Sequence, residues 1–89
     1  MKTKKLNRSF ALAFGTVLRT TRLEMGISQE KLSEITDMDR TYPSLLERGL
    51  RAPTLEMVFR LSTALQVAPG FMVERTALEL RRSVVGGAS

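Results

Sequence analysis

The stretch GISQEKLSEITDMDRTYPSLLERG, residues Gly26 to Gly49, reads as two short helices and the bend between them. Ser28 is placed to cap a helix from Gln29 to about Thr36, with Glu30 near its positive end. Leu32 and Ile35 fall on what should be the inner face of that helix. Asp37-Met38-Asp39 then reads as a turn, because Asp37 tolerates a left-handed backbone and Asp39 can cap the next helix. That third helix is expected from Arg40 to Glu47 or Arg48, stopping at Gly49, a natural residue just past a helix end.

Outward from this centre, every ordered segment also reads as helix. Upstream, Phe10, Phe14, Val17, Leu18 and Leu23 recur at helical spacing, opened by Ser9 and closed at Gly26. Downstream, Leu50-Arg51-Ala52-Pro53 is a loop, and Thr54 caps a fourth helix with Leu55, Val58, Leu61 and Leu65 as its apolar stripe. Pro69 suits the first turn of a fifth helix that is expected to run to about Arg82. No alternating strand pattern occurs, so the fold class is all-α, a compact five-helix domain. The chain divides into a basic, flexible arm at 1–8, a domain at 9–82 and a frayed tail at 83–89.

Composition narrows the chemistry. The 89 residues hold no cysteine and no histidine. That removes disulfides, the usual zinc ligands and any histidine-based triad. With no glycine-rich phosphate loop either, an enzyme is not expected, nor a metal, a cofactor or a small-molecule ligand. No apolar run approaches the roughly 20 residues that span a bilayer, and the basic start lacks the apolar stretch of a signal peptide. A cytoplasmic protein with no membrane partner is the expectation.

The net charge of +5 is unevenly placed. Residues 1–22 carry Lys2, Lys4, Lys5, Arg8, Arg19 and Arg22 with no acid. Residues 23–47 carry Glu24, Glu30, Glu34, Asp37, Asp39 and Glu47 against Lys31 and Arg40. Beyond them Arg48, Arg51, Arg60, Arg75, Arg81 and Arg82 restore the basic balance. Basic flanks around an acidic middle suggest clamps beside a reading surface rather than general polyanion binding.

Two short helices joined by a turn of this kind are the signature of a helix-turn-helix, here formed by the second and third helices. The ordered set Phe14-Gly15-x-x-Leu18-Arg19-x-x-Arg22, Gly26-Ile27-Ser28-Gln29-Glu30-Lys31-Leu32, Arg40-Thr41-Tyr42, Leu46-Glu47-Arg48-Gly49 and Pro53-Thr54-Leu55 resembles the phage Cro/repressor-type helix-turn-helix family. The resemblance covers roughly residues 10–72. It implies a bacterial transcription regulator, a repressor or its like, bound to double-stranded DNA as a homodimer on a pseudo-palindromic operator. The recognition helix, residues 40–47, would enter the major groove by its N-terminal end.

On that reading Arg40 can bond guanine O6 and N7, and Thr41 can bond a base or pack on a thymine methyl. Ser44 joins them as a candidate base reader or a contact to a flanking edge, and Tyr42 is assigned to the backbone. Gln29 resembles the family's glutamine that approaches a phosphate at a helix N-terminus. Arg48, Arg51 and Arg19 are further backbone candidates. Arg22 and Glu47 are implied to pair across the fold as a structural ion pair.

Pro43 departs from the pattern. Counted from Asp39 as cap, it is the fourth helical residue and should delete the first intrahelical hydrogen bond and push Tyr42 away from α geometry. Leu45 also departs, and is either a contact to a thymine methyl or core. Phe71 and Met72 can fold back on their own core or face a partner, while Leu78 and Leu80 are assigned to the dimer interface. The alternative function is the antitoxin half of a toxin–antitoxin pair, a protein-interaction module.

Overall fold

The computed structural model describes the backbone of residues 2–88 and the side chains of residues 8–82. The side chains of the basic arm before Arg8 and of the tail 83–89 lie outside the described residues. Five helices occur in order: α1 Lys2–Met25, α2 Gln29–Thr36, α3 Tyr42–Glu47, α4 Leu55–Ala64 and α5 Pro69–Ala88. No strand occurs among the described residues. α1 packs against α5 and α3, α2 bridges α3 and α4, and α4 closes on α5. Phe14, Val17 and Leu18 of α1, Leu32 of α2, Leu46 of α3, Val58 and Leu61 of α4, Leu65 beyond it and Met72 of α5 form one core.

The stop signals work as the residue types require. Gly26 has φ +78 and donates its N–H to the Arg22 carbonyl at 3.0 Å, ending α1. Ser28 Oγ accepts from Lys31 N at 2.9 Å and Thr54 Oγ1 from Met57 N at 3.1 Å, so each caps its helix. Asp37 takes the left-handed conformation at φ 56 and ψ 43, closing α2. Pro69 opens α5.

Several expectations are corrected. α1 already runs from Lys2, which puts Ser9 inside the helix and not at its cap, and α5 continues past Arg82 to Ala88. Leu23, Ile35 and Leu55, expected on the apolar stripes, are exposed. In each case hydroxyl-bearing or charged neighbours hold the inward positions. Thr21 and Arg22 continue the α1 stripe, Ser33 and Thr36 that of α2, and Ser62 that of α4. The hydroxyls of Thr21, Thr36, Ser62 and, on α5, Thr76 each donate to the carbonyl one turn earlier at 2.7 Å. A buried hydroxyl satisfied by its own helix costs little and packs like a small apolar group. Among the described residues no buried side-chain nitrogen or oxygen lacks a partner.

The third helix is the largest revision. It begins at Tyr42 rather than Arg40, so Arg40 and Thr41 belong to the approach. Pro43 is thereby the second helical residue, where its missing N–H would have had no intrahelical partner. The first bond of the helix, Leu45 N to Thr41 O at 3.2 Å, is intact, and Tyr42 is helical. Pro43 is fully buried.

Candidate nucleic-acid interface

α3 is fastened to α1 by close backbone approach and by charge. Gly15 faces the end of α3 so tightly that a Cβ there would lie 2.4 Å from the Leu46 carbonyl oxygen and 2.7 Å from that of Glu47. Only a residue without a side chain permits that distance. Beside this contact Arg22 donates through Nε to Glu47 Oε2 at 2.6 Å and through Nη2 to Oε1 at 3.0 Å. Its Nη1 donates to the Ile27 carbonyl at 2.8 Å. Gln29 Nε2 donates to Glu47 Oε1 at 3.0 Å. The two charged side chains are 9% and 3% exposed. A single carboxylate thus joins α1, the first residue of α2 and the last of α3.

At the other end of α3 the chain is open. Asp39 Oδ1 accepts from Thr41 N at 2.8 Å and from Thr41 Oγ1 at 2.7 Å, and Tyr42 N donates to the Asp39 carbonyl at 3.0 Å. These bonds hold the Asp39 carboxyl below the usual carboxylate range, the Thr41 hydroxyl contributing most and its backbone N–H next. They also build a rigid turn from which Arg40 projects, exposed and forming no ion pair among the described residues. Thr41 is exposed, Ser44 and Leu45 half-buried. Tyr42 is half-buried and packed against the core.

The basic candidates divide. Arg48 and Arg51 are exposed at the far end of α3 and in the loop after it, and Arg19 is exposed on α1. Gln29 is assigned a phosphate by resemblance, and its side chain already serves Glu47.

The two leucines of the expected interface separate. Leu78, 58% exposed, opens onto Thr16, Thr20 and Arg82. Leu80 turns the other way, into an apolar groove with Phe10, Val58, Val73 and Ala77. Of the two undecided residues, Met72 is core and Phe71 is exposed under the Arg75 guanidinium, 5.1 Å from its ring centre.

Two arginines escaped the sequence reading. Arg60 donates to the Thr36 carbonyl at 2.6 Å, binding α4 to the last residue of α2. Arg75 joins α5 to α1 through Thr21 and Glu24. Both contacts link residues distant in the chain, and neither side chain carries a local motif. No helix among the described residues is long and apolar enough to cross a membrane, and no group of potential metal ligands is assembled there.

Comparison with known proteins agrees with this fold. The helix-turn-helix family matches residues 18–72. The control protein C.BamHI of Bacillus amyloliquefaciens is 36% identical over 74 residues, 82% of this chain and 91% of that one. The crystal structure of the restriction-modification controller protein C.AhdI from Aeromonas hydrophila superposes with a TM-score of 0.70 at 35% identity, covering 73% of this chain and 94% of that one. The clp gene regulator ClgR from Corynebacterium glutamicum gives a TM-score of 0.83 over 89% of this chain and 84% of its own, and at 23% identity it supports the fold alone. The chain belongs to the Cro/repressor-type helix-turn-helix family of DNA-binding transcription regulators.

Proposed function

We propose that this protein is a sequence-specific transcription regulator that binds a pseudo-palindromic operator as a homodimer, with α3 in the major groove. The observation that carries the reading is the contrast along α3. Its C-terminal end is locked by Glu47, and its N-terminal approach presents Arg40 and Thr41 unpaired by any carboxylate except through the Asp39 turn. A reader needs both, since a base contact discriminates only when its side chain is aimed by a rigid support. Arg40, Thr41 and Ser44 read base edges, while Arg19, Gln29, Tyr42, Arg48 and Arg51 contact the sugar-phosphate backbone. The Glu47 bond uses one N–H of the Gln29 carboxamide and leaves the other to a phosphate. The protein then acts by binding, at the nucleoid, and not by catalysis.

The dimer contact is assigned to the groove around Leu80 rather than to Leu78, since that groove is lined almost wholly by apolar side chains. The biological role is that of a restriction–modification controller, supported by the 35% identical C.AhdI, which bears that description, and by the 36% identical control protein C.BamHI.

Selection of duplexes from a random pool tests the reading. It should enrich two inverted half-sites whose centres lie about 34 Å apart. Sedimentation should give a dimer that Leu80→Glu splits and Leu78→Glu leaves whole. A pool with no enriched sequence contradicts DNA reading, and a dimer indifferent to Leu80→Glu contradicts the assigned groove.

A further inference from the structure

A cleft of about 400 Å³ separates the early turns of α1 from the loop after α3. Arg8, Arg48 and Arg51 line it, together with Leu12, Gly49 and Leu50. Arg8 precedes residues 18–72, the segment that the helix-turn-helix family matches. The loop reaches α1 because Gly49 is bare. Its φ is +73, and a Cβ would lie 2.5 Å from Leu12 Cδ2. The three arginines are all exposed, and the ion pairs among the described residues involve other side chains. Arg48 spends only its Nε, in a long 3.4 Å bond to the Ser44 carbonyl. Three arginines that line one cleft, with no carboxylate among its lining residues, leave their positive charge for an anion to neutralise.

The apolar part of the cleft narrows which anion. Leu12 is 48% and Leu50 61% exposed. A phosphodiester is a negative charge with apolar shoulders, the deoxyribose carbons on either side. Arg48 and Arg51 also come directly after α3, so the backbone flanking the read groove is the nearest polyanion. We infer that Arg8, Arg48 and Arg51 form a clamp on one backbone phosphate of the bound duplex, extending the interface onto the first turns of α1. The clamp rests on the DNA-reading proposal above.

A methylphosphonate placed at one phosphate at a time in the selected duplex removes a single charge and leaves the sequence intact. Wild type should lose affinity about tenfold when the clamp phosphate is neutralised. Arg8→Ala and Arg51→Ala should each lose part of that tenfold on unmodified DNA and lose correspondingly less than wild type when the same phosphate is neutralised. The slope of log affinity against log salt should fall in each variant by no more than the roughly 0.9 that one phosphate carries, and Arg8→Lys should restore it. All these side chains are exposed, so melting temperatures should match wild type. Unchanged affinity and slope in Arg8→Ala overturn the clamp, as does a methylphosphonate effect reduced at a different phosphate from that of Arg51→Ala. A wild-type protein that binds no selected duplex fails the underlying reading instead, a result distinct from one that binds and ignores Arg8.

Discussion

At its C-terminal end α3 is held by a carboxylate 3% exposed that takes hydrogen bonds from Arg22 and Gln29, whereas at its N-terminal end Arg40 and Thr41 stand in solvent ahead of the helix. Buried charge at one end aims a six-residue helix too short to be stable alone. Exposed charge at the other is left for a ligand. On the proposed reading the two regions should answer to mutation differently, the first through folding and the second through recognition.

Glu47→Ala should have the largest effect. It strands the Arg22 guanidinium in a nearly dry site and frees Gln29, and breaking a buried pair on one side costs about 3–5 kcal/mol. Denaturant unfolding should register this loss, and surviving folded protein should bind all sequences more weakly with preference unchanged. A loss under about 1 kcal/mol would place the pair with surface bridges. Gly15→Ala comes next, because its methyl group meets two backbone carbonyls that cannot rotate away. The α1–α3 distance must grow, at about 1–3 kcal/mol for such overpacking. Stability equal to wild type would show that α3 is not seated on α1 as described.

At the open end the effects should be small in stability. The bonds from Thr41 hold Asp39 ionised at a lower pH than usual. A depressed folded-state value contributes stability above the unfolded value of about 4, and that contribution is lost as pH falls through the folded one. Asp39→Asn keeps an acceptor for Thr41 but does not titrate. The variant should therefore show a shallower fall of melting temperature below about pH 4 than wild type. Parallel curves would remove Asp39 from the turn.

Much of the fold was legible because its punctuation is chemical and local. Ser28, Thr54, Gly26, Asp37 and Gly49 each do at their own position what their side chain or its absence dictates. Leu23, Ile35 and Leu55 misled because hydropathy cannot see that Thr21, Thr36 and Ser62 satisfy their hydroxyls internally and take the buried places. Pro43 misled by one assumption, that Asp39 caps α3 directly. The Asp39–Thr41 turn inserts two residues and moves the proline to where it is harmless. In the candidate site, Arg22 and Glu47 could be paired only through the family resemblance, being distant in the chain. The Arg60 and Arg75 contacts had no such guide.

The most direct test is a complete base-substitution profile of the selected operator with Arg40→Ala beside wild type. Arg40 projects from a rigid turn and touches no carboxylate, so its removal should flatten preference at one base pair of each half-site by about 1–3 kcal/mol and leave the melting temperature unchanged. A uniform loss of affinity across all sequences would make Arg40 a backbone clamp and contradict the assignment of the reading end of α3.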